Sequence, residues 1–145
     1  MKFVPVEFNE DLNKAFLNNP DCLDFLSVYP EFYKKVGFNK PWIGYFVIDD
    51  TYEIIACAGF KGKPQNGKVE IAYGTFFKNE GRGIATEVCR QLILMALNTD
   101  KNIIITARTL PEANASTTIL KKNGFSFLGT IWDEDDGDVW EWQYN

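Results

Sequence analysis

The chain has 145 residues, of which 46% are hydrophobic and 24% charged, and carries a net charge of −5. That balance excludes a disordered, collagenous or repeat-built chain and fits one globular domain, 1–145, able to bury a core without disulfides or a structural metal. The absence of histidine excludes Ser-His-Asp triads, Cys-His pairs and histidine-containing metal sites, while the negative charge argues against general affinity for nucleic acid or anionic lipid.

At the N-terminus, Glu7 interrupts the chain before a signal-like apolar run forms, and no later stretch approaches membrane-spanning length, so a cytoplasmic protein without membrane association is expected. Lys2–Phe8 reads as a strand, with Asn9 capping a helix over Glu10–Asn18. Pro20 starts a second, short helix, and Pro30 separates it from a helical turn around Glu31–Val36. Trp42–Ile48, Glu53–Phe60 and Lys68–Phe77 are strand-like runs joined by short turns, which implies an antiparallel meander. From Gly83 to Asn98 the period changes: Ile84, Val88, Leu92, Met95 and Ala96 share one helical face, opposite Glu87, Arg90 and Gln91. Asn102–Ala107 is then a strand parallel to the one before the helix, because a strand-helix-strand crossover requires it. A helix over Asn114–Lys122 ends at Asn123-Gly124, and strands at Phe125–Trp132 and Val139–Tyr144 are joined by a turn at Asp136-Gly137.

The segment Thr75-Phe76-Phe77-Lys78-Asn79-Glu80-Gly81-Arg82-Gly83-Ile84-Ala85-Thr86-Glu87 passes from strand through a glycine loop into the long helix. Glycines there let successive N–H groups converge on one anion at the positive helix end, a phosphate or pyrophosphate; a plain tight turn is the other reading of a lone Gly-Xaa-Gly. No Walker Gly-Lys-Ser/Thr follows, and Thr86 stands where a dinucleotide fingerprint needs a small third residue.

Glu80-Gly81-Arg82-Gly83-Ile84-Ala85 resembles the Gln/Arg-Xaa-Xaa-Gly-Xaa-Gly/Ala signature of the GNAT superfamily of acetyl-CoA-dependent N-acetyltransferases. Gly81–Glu87, together with Asn114-Ala115-Ser116 and Lys122-Asn123-Gly124-Phe125, is similar to the branch that holds the ribosomal-protein alanine N-acetyltransferases. The resemblance runs from about Trp42 to the C-terminus; the first forty residues carry no diagnostic motif. It implies an α/β (α+β) GNAT fold, a mixed, mostly antiparallel sheet of about seven strands with splayed central strands, flanked by helices. It also implies acetyl-CoA as co-substrate, no metal, and a primary amine acceptor, either a small molecule or a protein N-terminus. The protein is then a monomer or homodimer, and a non-catalytic acyl-CoA-binding module is the rival.

The same resemblance implies roles for particular residues. Gly81, Arg82, Gly83, Ile84 and Ala85 hold the pyrophosphate, Phe76 and Phe77 line the thioester side, and Asn114 meets the pantetheine amide; local sequence reads Asn114 equally as a helix N-cap. Glu80 departs from the signature and sets a carboxylate beside the phosphates, with Lys78 and Arg82 near enough in sequence to offset it. An acceptor amine with a pKa of about 10 needs its proton collected, and Glu70, a carboxylate inside an apolar run, is the candidate base, with Tyr73 as alternative or Glu70 as a merely exposed strand residue. Leu120 occupies the place of the usual thiol-protonating tyrosine, which leaves Ser116 to meet the sulfur or simply to satisfy the helix start. Cys22, Cys57 and Cys89, odd in number and widely spaced, read as reduced core thiols rather than nucleophiles. Asp133–Asp138 fails calcium-loop spacing and reads as a solvated turn or a lure for a cationic acceptor, and Trp132, Trp140 and Trp142 read as packing residues.

Overall fold

The computed structural model describes residues 1–145. Seven strands form one sheet: β1 (Lys2–Pro5), β2 (Gly44–Ile48), β3 (Ile54–Phe60), β4 (Lys68–Thr75), β5 (Ile104–Thr109), β6 (Phe125–Asp133) and β7 (Gly137–Tyr144), in the order β1-β2-β3-β4-β5-β7-β6. Every neighbouring pair is antiparallel except β4 and β5, whose parallel pairing follows from the crossover through α2 (Ile84–Thr99). The meander, the crossover and the final hairpin thus stand as the sequence implies. β1 is shorter than the expected Lys2–Phe8 run because the Asn13 side chain takes both backbone groups of Glu7, accepting from its N–H and donating to its carbonyl at 2.9 Å each.

Two helical segments near the N-terminus differ from expectation. Glu10–Phe16 is a 3₁₀ stretch, capped as expected by Asn9 through a 3.1 Å bond from the Asp11 N–H. Pro30 does not divide the next segment, since α1 (Pro20–Val36) is one 17-residue helix containing it. An interior proline removes one helical hydrogen bond and costs about 3 kcal/mol in isolation, so burial on both sides of it has to hold the helix together. Cys22 before it and Tyr33 after it are both buried. Asn19 caps α1 through the Asp21 N–H at 2.9 Å, and Gly37, at φ +91°, ends it.

The sheet divides the molecule into two cores. On one face α2 packs on β3 and β4 and α3 (Ala115–Lys122) packs on α2 and β6, so Ala58, Val69, Ile71 and Ile105 share a core with Val88, Leu92 and Leu120. On the other, α1 and the 3₁₀ stretch enclose Phe46, Cys57 and Phe76 with Phe16 and Cys22. Tyr33 pins α1 to the sheet: its hydroxyl donates to the Val6 carbonyl at 2.7 Å and accepts from the Gly44 N–H at 3.0 Å. Tyr33→Phe leaves both backbone groups buried without partners and is expected to cost about 1–3 kcal/mol, lowering Tm by roughly 3–10 °C in a thermal melt.

Candidate active site

The strand-to-helix connection starts with β4 leaving the sheet at Thr75, passes through a 3₁₀ turn at Phe77–Asn79, and enters α2 through Gly83. Gly81 and Gly83 have φ of +79° and +73°, a backbone region that side chains with a Cβ rarely adopt, and a Cβ at either would meet nothing within 4 Å. Open space therefore lies directly above the loop. None of the backbone N–H groups from Gly81 to Thr86 has an acceptor within the protein; the first such bond of α2 runs from Glu87 to Gly83. No side chain caps this end, and five of these six residues, all but Arg82, line one cleft of about 480 Å³ at the positive end of the helix dipole. Two further polar atoms in that cleft, Thr75 Oγ1 and the Asn79 Oδ1 of a residue only 2% exposed, are buried without partners.

The cleft runs into a fork in the sheet. β4 and β5 pair from Lys68↔Ile104 to Ile71↔Ala107 and then separate, β4 staying with β3 while Arg108 and Thr109 of β5 stay with β7. At the fork sits a small polar cavity of about 110 Å³ whose walls include Glu70, Tyr73, Arg108, Ser116 and Leu120. Tyr73 and Ser116 also line the larger cleft, so the two spaces are continuous there.

Strand alternation sends Glu70, Arg108 and Glu141 to the same face, where they meet Lys61 and Asp133 in an ionic cluster. Glu70 is paired through both oxygens, with Lys61 Nζ at 3.1 Å and Arg108 Nε at 3.5 Å. Arg108 also binds Asp133 at 2.8 Å and approaches Glu141 at 4.0 Å. The Arg108 guanidinium, followed by the N–H groups of Asp135 and Asp136, pulls the Asp133 carboxyl down to about 2. That accounts for the acidic run: Asp133 organises its own hairpin turn.

The other residues singled out by the sequence fall as follows. Phe76 and Phe77 do not line the cleft; Phe76 is buried in the α1-side core, Phe77 is 88% exposed, and Tyr73, Gly74 and Thr75 occupy the β4 wall. The period-two alternation explains it, since Gly74 and Phe76 point toward α1 while Tyr73 and Thr75 point toward α2. Ile84 and Ala85 line the cleft beside Gly81 and Gly83. Arg82 is exposed; the Asp49 carboxyl in the β2–β3 turn is held down first by the Thr51 hydroxyl and then by the N–H groups of Glu53 and Thr51, with the Arg82 charge adding least, and Lys78 pairs with Glu53 at 3.3 Å. Neither cation pairs with Glu80, which lines the cleft as an exposed residue. Asn114 caps α3, accepting from the Thr117 N–H at 3.1 Å in a reciprocal capping box. Leu120 is a buried wall of the fork. Burial lifts the thiols of Cys22 and Cys57 to about 11 and that of Cys89 to about 12, and it raises the Tyr73 hydroxyl as well, so none of them is poised as nucleophile or base at neutral pH. Trp142 is core and donates to Thr109 Oγ1 at 3.0 Å, whereas Trp132, expected to pack, is 73% exposed beside the acidic hairpin.

Residues 1–126 match the acetyltransferase (GNAT) domain, and the chain belongs to that family of acetyltransferases. Among solved structures, a chimera of the spermidine N-acetyltransferase SpeG from Vibrio cholerae with hSSAT superposes with a TM-score of 0.74 at 15% identity, over 99% of this chain and 95% of that one. A point mutant of the same Vibrio cholerae enzyme gives 0.71 at 15% identity over 99% and 94%. AAC(6')-Ib, in complex with ribostamycin and coenzyme A, gives 0.60 at 18% identity over 71% and 63%. No curated protein matches the chain. The family match does not single out the ribosomal-protein alanine branch. No helix is long and apolar enough to cross a membrane.

The ionic cluster makes a prediction about acid stability. Because the folded Asp133 pKa lies below its unfolded value of about 3.9, its contribution is complete above pH 4 and is lost as pH falls through about 2. Arg108→Gln removes the main cause of that shift and leaves Glu70, Asp133 and Glu141 close together, so its acid-unfolding midpoint, followed by circular dichroism, is expected at a higher pH than in the parent protein.

Proposed function

We propose that the chain transfers the acetyl group of acetyl-CoA to a primary amine by direct attack in a ternary complex. The reading is carried by the row of unpaired N–H groups from Gly81 to Thr86 beside the β4–β5 fork. The residues present fit such a co-substrate. A row of unpaired backbone donors lining the cleft at Gly81, Gly83, Ile84, Ala85 and Thr86 suits a pyrophosphate, the missing Cβ atoms of Gly81 and Gly83 leave room for it, and the cleft continues to the fork past Tyr73 and Ser116. When bound, acetyl-CoA supplies the thioester carbon that the amine attacks.

The chain's own residues then have separable tasks. Gly81, Gly83, Ile84 and Ala85 offer backbone donors to the phosphates, and Arg82 adds a side-chain charge at the rim. The unpaired edge of β4 at Gly74 and Thr75, rather than Phe76 and Phe77, presents backbone to the pantetheine arm. Asn114 spends its Oδ1 on the helix cap, leaving its amide nitrogen to donate to the same arm. Glu70 is the base: it collects the amine's proton directly or through water, releasing one of its two cations as it does so. Ser116, at the junction of cleft and fork, donates to the departing sulfur, since Leu120 cannot. The acceptor is a small amine or a protein N-terminus. Structural neighbours that act on spermidine or hold ribostamycin support the small-molecule alternative.

The paired state of Glu70 and the apolar Leu120 are what a non-catalytic acyl-CoA-binding module would also show, and kinetics separates the two. Free thiol released from acetyl-CoA is expected to depend on added amine. Glu70→Gln should lower kcat about 10²-fold or more with acetyl-CoA affinity unchanged. Thiol release absent with every amine, despite tight acetyl-CoA binding, leaves only the binding module. For the phosphate row, acetyl-CoA at a hundredfold over its Kd should stabilise the protein by about 2.7 kcal/mol, a rise of several degrees in Tm. Gly83→Glu should abolish that rise while remaining folded by circular dichroism.

A further inference from the structure

A second cleft, of about 520 Å³, opens on the sheet face opposite α2, between α1 and the strands. Its floor is made of small residues brought side by side by register: Gly44 of β2 lies opposite Gly59 of β3, which lies opposite Ala72 of β4, and Cys57 lies opposite Gly74. Its roof is one stripe of α1 at helical spacing, Phe25, Val28, Tyr29 and Phe32. The gap is thus a flat slot between aromatic rings and a floor nearly free of side chains. At Gly44 the roof rests on the floor, since a Cβ there would fall 2.2 Å from the Tyr29 hydroxyl; at Gly59 a Cβ would meet the Ile43 carbonyl oxygen of the adjacent strand at 2.5 Å, so both floor positions require glycine. The Tyr33 hydroxyl, hydrogen-bonded to both Val6 and Gly44, keeps the roof in register over the floor.

The slot meets the fork at Lys61, Ala72 and Tyr73, which line both spaces. No carboxylate lines it, and Lys61 is its one charged side chain. We propose that this slot is the acceptor site and selects a primary monoamine with a flat apolar body, an arylalkylamine in chemical class, over polycationic amines. The proposal rests on the acetyltransferase reading above.

The selection follows from desolvation. An aromatic body gains by leaving water and by stacking beneath the rings of α1. A second ammonium on the acceptor would be stripped of water with no carboxylate to meet it and with the Lys61 ammonium nearby. Of the acidic hairpin, Asp133 is held by Arg108 and Glu134 by Lys35 at 2.9 Å, and the exposed, unpaired Asp135 lies in a neighbouring cavity that meets the slot only at Phe32 and Lys61, outside the slot itself. An apolar slot beside a cation also favours the neutral form of the one amine that must react. In the transfer, the amine nitrogen bonds to the acetyl carbonyl carbon, the C–S bond breaks with its electron pair leaving on sulfur, and one N–H proton passes to Glu70.

The test compares acetyl transfer by the full chain to tryptamine, phenethylamine, spermidine, ribostamycin and an alanine-initiated peptide, followed by thiol release. The kcat/KM for tryptamine or phenethylamine is expected to exceed that for spermidine by about 100-fold or more. Val28→Asp, on an exposed part of the roof, should lower the aromatic amines' kcat/KM about 10-fold or more and raise that of spermidine, with acetyl-CoA affinity unchanged. Preference for spermidine, ribostamycin or the peptide overturns the slot proposal and leaves the acetyltransferase reading standing. Transfer to none of them is the failure of the acetyltransferase reading. In that case calorimetry of tryptamine into the CoA complex decides the slot: binding weakened by Val28→Asp supports it, and no binding overturns it.

Discussion

The parallel pairing of β4 with β5 is the constraint on which the site depends. Parallel neighbours cannot be joined by a tight turn, so a helix must cross between them, and its first turn necessarily lies near the C-terminal end of the first strand. Here that places the start of α2, with its unpaired N–H groups, beside the point where β4 and β5 part after Ile71 and Ala107. One topological choice therefore delivers the anion-binding end of a helix and an opening through the sheet to the same place. Gly81 and Gly83 complete it by turning the chain with no Cβ to fill the space.

The fork also lets the two faces of the sheet communicate. On the α2 face lies the cleft of backbone donors; on the α1 face lie the ionic cluster around Arg108 and the apolar slot. Glu70 stands where they meet, fixed by Lys61 and Arg108 from two sides. Such pairing holds the carboxylate in one position, which suits a base that must be in place when the amine arrives, and it requires a cation to move aside when the proton is taken. Arg108 and Lys35 pair with Asp133 and Glu134, so the charge of the run Asp133–Asp138 that remains unpaired is that of Asp135, Asp136 and Asp138 in the exposed turn.

The sequence carried the fold well where signals were local. The change from period two to period 3.6 after Gly83 located α2, and the crossover rule then fixed the direction of β5. It failed where distant residues decide. Pro30 reads as a break because the burial of Tyr33 that keeps α1 whole depends on Val6 and Gly44. The resemblance puts Phe76 and Phe77 on the thioester side, yet alternation from Gly74 carries Phe76 into the α1 core and the 3₁₀ turn leaves Phe77 outside. Nothing in the local sequence marks Asn79 and Thr75, whose Oδ1 and Oγ1 are buried in the cleft without partners. The slot was invisible for the same reason: its floor comes from three strands and exists only once their register is set. A stripe at Phe25, Val28, Tyr29 and Phe32 was the available signal, hidden by reading the helix as two pieces.

The most direct test of the account is amide NMR of the uniformly ¹⁵N-labelled chain titrated with coenzyme A. If the row of unpaired donors holds the pyrophosphate, the largest amide shifts fall on Gly81 to Thr86, with smaller ones on Gly74, Thr75 and Asn114, and they saturate together. Saturable binding that leaves Gly81 to Thr86 unmoved while shifting amides elsewhere would contradict it, as would no binding at millimolar coenzyme A.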